Sequence, residues 1–222
     1  PANLSQQGGS VLTIQSGDRF DAIVFGERAR GKWMAGSDFF RRTQAEQSAS
    51  APETAGPEAL VQLAIVYEGN AIRLYRNGDP YAAYEAQNTD LLGAEDHIAV
   101  FGLRHVGAGT GAPFAGQIED ARIYGRALTA AEIRSLRPDE ASEIEPLAWW
   151  DFAGKAARDR AGRFTHHASA GGAKVEGGRL VLDGSGYLVA ARSAAAAQQA
   201  TLNAPPLPPV GPYVPETPAW PD

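Results

Sequence analysis

The chain of 222 residues contains no cysteine. Disulfide bridges and thiolate metal sites are therefore excluded, although many secreted bacterial proteins also lack cysteine, so compartment stays open. No apolar run approaches the roughly 20 residues a membrane-spanning helix needs. Positive charge is scarce: 20 Lys and Arg stand against 26 Asp and Glu, a net charge of −6. A nucleic-acid surface, which requires clustered cations, is not expected. The signatures of several enzyme classes are missing too. There is no Gly-x-Ser-x-Gly elbow. The Gly-rich string 107–112 has neither the lysine nor the strand-to-helix setting of a phosphate loop. His97, His105, His166 and His167 contain no pair at helical metal-ligand spacing. No leader pattern and no initiator Met is present, and the chain reads as a processed or excised piece of something longer.

Turn residues, by contrast, are abundant: 25 Gly and 15 Pro, the punctuation of an all-β protein. VLTIQ and FDAIVFG flank the turn SGDR. LVQLAIVYE and AIRLYRNG predict a hairpin that turns at Gly69–Asn70, with a second tight turn at Asn77–Gly78, and HIAVFGLRH, residues 97–105, a further buried strand. In KWMAGSDFF, Trp33, Met34, Phe39 and Phe40 form a dense apolar set expected in the core, with a sugar-stacking face as the alternative for Trp33. Residues 44–58 are small, polar and Pro-containing, and predict a mobile surface loop.

The stretch 114–136 organises the rest. Phe114, Ile118, Ala121 and Ile123 predict a strand. Thr129 and Glu132 form a capping box for a short helix whose Leu128, Ile133 and Leu136 share one side, and Pro138 stops it. The string Phe114, Gly116, Ile118, Glu119, Asp120, Arg122, Ile123, Tyr124, then Arg126, Ala127, Leu128, Thr129, Glu132, Ile133 resembles the closing segment of laminin-G-like, concanavalin A-like modules. The resemblance implies an all-β jelly-roll sandwich with one short helix, here followed by a Pro-rich C-terminal tail.

Residues 147–190 resemble the opening of such a module. Trp150, Asp151 and Phe152 lead, Asp159, Gly162 and His166 follow, and Leu180, Leu182, Asp183, Gly184, Gly186 and Tyr187 close. Either these strands complete one sandwich in permuted order or they open a second. A few strands cannot bury two faces alone, which favours one sandwich over 1–190, with its main part at 1–137. Order is expected to end near Ser193, and 191–222 reads as an extended linker, with at most a helical turn or two in its alanine-rich start.

Hydrolases on this scaffold place two Glu and an Asp alternately on one strand; no Glu-x-Asp-x-x-Glu string occurs here. Binding is the better expectation. Trp33, Tyr84, Trp149 and Trp150 are the candidates to stack on sugar rings, and one of the adjacent tryptophans must face away from the core, toward a ligand or a neighbouring domain. Asp120, Asp151 and Asp183 could supply oxygens to a structural calcium ion. The sandwich and the tail PYVPETPAWPD together resemble the region preceding the catalytic propeller of enzymes similar to glycoside hydrolase family 32. That resemblance implies a catalytic domain C-terminal to this chain, a fructan-type carbohydrate and a secreted or periplasmic location; no membrane partner is expected. An adhesion or protein-interaction module is the alternative, and a stand-alone glycan hydrolase a further one.

Overall fold

A computed structural model describes residues 1–47, 49–87, 97–107 and 113–204. Fourteen strands occur among them. β1 (Ser10–Ser16) and β2 (Arg19–Phe25) form the first expected hairpin, with Gly17 in the left-handed region at its turn. β3 (Trp33–Ser37) pairs with β2. β4 (Leu63–Glu68) and β5 (Ala71–Arg76) are the predicted hairpin, and β6 (Asp79–Glu85) extends it past the second turn into a three-stranded meander. Asn77 and Gly78 both take positive φ at its second turn, as a two-residue hairpin loop requires. β7 (Ile98–Gly102) is the expected buried strand.

The stretch from Phe114 is not one strand. β8 (Ala115–Ile118) and β9 (Ala121–Ile123) are separated at Glu119–Asp120, where the chain leaves one sheet for another. The helix α1 (Ala130–Ser135) carries the capping box as expected: Glu132 N–H donates to Thr129 Oγ1 at 3.2 Å, and Thr129 N–H donates to the Glu132 carboxylate at 2.8 Å. Ile133 and Leu128 pack against Val66 and Tyr75, so α1 rests on the outer face of the meander. A β-carbon on Gly78 would lie 2.7 Å from Arg134 Cβ, which shows how closely the helix approaches the turn.

The remaining strands are β10 (Ala148–Trp150), β11 (His166–Ala170), β12 (Lys174–Glu176), β13 (Arg179–Asp183) and β14 (Tyr187–Ala191). One antiparallel sheet has the order β11-β14-β7-β1-β2-β3; the others are β12-β13-β8, β10-β9 and β4-β5-β6. Strands from 147–190 thus pair directly with strands from the first 137 residues: β14 with β7, β13 with β8, β10 with β9. The core between the layers joins Phe25, Phe101 and Leu188 of the large sheet to Ile118, Trp150, Leu180 and Leu182 of the smaller ones. Burying each such side chain is worth about 1.5–3 kcal/mol.

Order does not stop at Ser193. The Ser193 hydroxyl caps a ten-residue helix, α2 (Ala194–Asn203), accepting from Ala196 N–H at 3.1 Å. Ala200 joins Val100, Leu103, Tyr187 and Val189 in a cluster on the outer face of the large sheet. The alanine run forms a helix long enough to matter because that apolar face is there to receive it. The Pro-rich stretch from residue 205 lies outside the described residues.

Candidate functional site

β3 ends in a tight 3₁₀ turn, Asp38–Phe40, built around a buried ion triad. Arg42 donates through Nε to Asp21 at 2.8 Å and through Nη2 to Asp38 at 2.5 Å and to the Phe20 carbonyl at 2.9 Å. Both Arg42 and Asp38 are about 4% exposed. Burial alone would raise the Asp38 pKa, but the Arg42 hydrogen bond and charge prevail and hold it below the usual range. The turn pushes the next two residues outward. Phe39 (φ 49°) and Phe40 (φ 57°) lie in the left-handed region, and Phe39 is 81% exposed. This corrects the expectation that Trp33, Met34, Phe39 and Phe40 fill the core together: Trp33 and Met34 do, the phenylalanines do not.

Beside the turn lies an open pocket of about 410 Å³, lined by Arg41, Thr43, Gln44, Glu46, Tyr84 and Gln87 among others. Tyr84 enters it from β6. Its hydroxyl donates to the Arg42 carbonyl at 2.7 Å, and burial pushes its pKa up. The ring is thereby fixed at the pocket wall while remaining half-buried.

In the segment 44–58, whose composition predicts a mobile surface loop, the described residues are anchored to the sandwich. Glu53, 3% exposed, latches it. The Glu53 carboxylate accepts from Trp33 Nε1 at 2.7 Å, from Arg76 at 2.6 and 2.9 Å, and from the N–H groups of Thr54 and Ala55 at 2.9 and 2.8 Å. Burial on its own would raise the Glu53 pKa; the Arg76, Ala55 and Trp33 donors outweigh it and hold the group at about 2. Tyr81 adds a hydrogen bond to the Ala51 carbonyl at 2.6 Å, and Lys32 one to the Gln47 carbonyl at 2.7 Å.

The other sequence candidates lie elsewhere. Trp33 is buried against Phe25. Trp150 is fully enclosed, with Phe101 edge-on at 5.3 Å and Phe164 also at 5.3 Å, and its indole N–H donates to His167 Nε2 at 3.0 Å. Burial lowers the His167 pKa, consistent with a neutral, accepting imidazole. Trp149 faces the opposite way, as alternation demands, but Arg122 and Arg160 lie 4.5 and 4.1 Å from its ring centroid and leave it 8% exposed. The Trp149 indole N–H donates to Asp120 at 2.8 Å.

Asp120 also accepts from Arg122 and from Asp139 N–H, and Asp151 accepts from Arg160 at 2.7 Å. Asp120 and Asp151 both bear on Asp139, whose pKa is raised by burial first and then by the charges of Glu119, Asp120 and Asp151. Asp183 stands apart at the end of β13 opposite Ala115 and accepts from Ser185 N–H and Oγ at 2.8 and 2.7 Å. A side chain at Gly172 would collide with its carboxylate. The three aspartates are thus not brought together. Among the described residues, no group of three or more His, Cys, Asp or Glu is placed to share a metal ion. The charge-assisted bonds these carboxylates already make give each one a structural task.

Sequence reasoning missed Glu53, Arg42 and Phe39. Glu53 is one polar residue of a stretch that reads as loop and Arg42 the second of two adjacent arginines, and their partners arrive from β2, β3 and β5 and from the 38–40 turn. Phe39 carried a usable sign, since Ser-Asp-Phe-Phe-Arg-Arg departs from strand alternation just after β3.

No curated protein and no solved structure matches the chain. A laminin-G-type family model, described as the concanavalin A-like lectin/glucanases superfamily, matches residues 1–134, well over half of it. The match ends inside α1, and the antiparallel layers beneath it are those of such a sandwich. The chain therefore belongs to the concanavalin A-like lectin/glucanase superfamily.

Proposed function

We propose that this chain is a carbohydrate-binding β-sandwich module without catalytic action of its own, serving a secreted glycoside hydrolase with a fructan-type substrate. The observation that carries the binding part is the pocket between the 41–46 segment and Tyr84. Its size lies in the range of small-molecule sites, and it offers the hydroxyl, amide, carboxylate and guanidinium groups that polyols exchange for water. The Arg42 triad holds the backbone on one side, and the Tyr84 hydroxyl bond to the Arg42 carbonyl holds the ring on the other, before any ligand arrives. Preorganised groups lose little conformational freedom on binding. Membership in a lectin and glucanase superfamily supports the same reading. The glycoside hydrolase setting and the fructan rest on the resemblance of the tail and on domain order.

In this reading residues 1–190 act as one unit, because strands of both segments share sheets. The test is affinity electrophoresis of the 222-residue chain through gels containing inulin, levan, barley β-glucan or xylan. Retardation by at least one is expected, with inulin or levan first. Migration unchanged in all four overturns the binding reading. Release of reducing sugar from any of them by the purified chain overturns its non-catalytic part.

A further inference from the structure

Phe39 combines two costs that a folded protein rarely keeps together. Its bulky side chain sits on a left-handed backbone at φ 49°, a conformation that costs about 1–2 kcal/mol for such a residue. Its ring is 81% exposed, so burial repays none of it. The neighbouring Phe40 has the same backbone sign, but its ring is partly covered, at 37% exposed: Arg28 and Arg104 lie 5.2 and 5.6 Å from its centroid. Phe39 has Arg41 at 5.3 Å and otherwise faces water. The ring is also held in place. Asp38, immediately before it, and Arg42, three residues after it, belong to the buried ion triad, so the turn cannot relax without breaking charge-assisted bonds.

Arg41 joins this ring to the pocket, since the same side chain lines both. We propose that Phe39 is the stacking platform of an oligosaccharide site that begins in the Tyr84 pocket, so that the ligand is a run of at least two neutral sugar units, one held by the pocket and the next laid on the Phe39 ring. The proposal rests on the carbohydrate-binding reading above and adds to it the platform residue, the chain length and the charge class. An exposed aromatic face suits the apolar C–H face of a pyranose or furanose ring. The pocket sets Glu46 and Glu85 beside the single cation Arg41, which disfavours a uronate or sulfate ester there. Two further cations, Arg28 and Arg104, lie beside Phe40 outside the pocket lining, and Arg104 is engaged by Glu27.

The test uses the full chain and three variants, Phe39→Ala, Phe39→Trp and Phe39→Gly, in the same four neutral polysaccharide gels, with heparin as an anionic probe. The neutral polymer that retards the unaltered chain should hold Phe39→Ala roughly tenfold more weakly. Phe39→Trp should bind at least as well, and its added fluorescence should shift when that polymer saturates it. Phe39→Gly should lose binding while its Tm rises by about 2–4 °C, because glycine accepts the left-handed backbone without strain. Gain of stability with loss of binding is the signature a purely structural Phe39 would not give. Equal retardation of the unaltered chain, Phe39→Ala and Phe39→Gly sinks the platform and leaves the pocket reading standing. Retardation by heparin in place of the neutral polymers overturns the charge class. An unaltered chain that none of the neutral polymers retards takes down both readings.

Discussion

Two pairs of adjacent aromatic residues follow opposite courses in this sandwich. Trp149 and Trp150 form the end of β10, and both are sealed: one between Phe101 and Phe164, the other beneath two arginines. Phe39 and Phe40 follow β3 on left-handed backbone, and Phe39 stands in water. The tryptophan pair lies on extended strand, where alternation sends one ring inward and one outward and the outward one is covered by Arg122 and Arg160. The phenylalanine pair lies on costly backbone, with Phe40 partly covered by Arg28 and Arg104 and Phe39 flanked by Arg41 but mostly in water. The difference teaches that an outward aromatic ring on extended strand can be sealed by neighbouring guanidinium groups, whereas a left-handed turn fixed by buried charges can hold a ring out in water.

Measurements on four variants, and on the pH dependence of one of them, sharpen or break this contrast. The largest effect is expected from Trp150→Ala, which should lower stability in urea by about 3–5 kcal/mol through lost burial and the cavity left among Phe101, Phe152 and Phe164. Less than 1 kcal/mol would mean that this end of the sandwich is not the sealed one. Glu53→Gln comes next, at about 2–3 kcal/mol, since it removes the charge that Arg76 and Trp33 are aimed at. Limited proteolysis should then cut within 44–58, where the unaltered chain resists.

The same latch predicts an acid response. The Glu53 pKa is depressed from 4.5 to about 2 on folding, so its stabilising contribution is complete above pH 4.5 and disappears as pH falls from 4.5 toward 2. Urea midpoints of the unaltered chain should decline over that window, and those of Glu53→Gln should decline less. Thr129→Ala should cost about 1 kcal/mol by removing the cap of α1, read in the same titration. Phe39→Ala should be the mildest of all, within about 0.5 kcal/mol of the unaltered chain. A cost near that of Trp150→Ala would erase the distinction between the two aromatic pairs.

What could be read from residue order follows the range of the forces involved. The hairpins at Gly17–Asp18 and Asn77–Gly78 and the Thr129–Glu132 cap are set by neighbours within a few positions, and all appear where expected. The division of 114–123 into β8 and β9 was not legible, because it depends on β13 and β10 arriving from far along the chain to claim one half each. Glu53 looked like one more polar loop residue; only the fold brings Trp33 and Arg76 to it. Alternation correctly set Trp149 and Trp150 on opposite sides but could not show that two guanidinium groups close over the outer one. The local donors to Asp120 and Asp183, from Trp149 and Ser185, were likewise not legible from residue order.

The placement of β13 and β14 has a consequence for synthesis. While the polypeptide is still emerging from the ribosome, β7 presents an unpaired edge that β14 alone satisfies on that side. The interval between completing Gly102 and reaching Tyr187 lasts about 4–17 s at translation speeds of roughly 5–20 residues per second. Over that time the nascent sheet is open to the intermolecular pairing that unprotected edges invite. Closure of that edge comes only when Ala191 has left the exit tunnel, so β14, the last strand among the described residues, acts as the clasp of the large sheet.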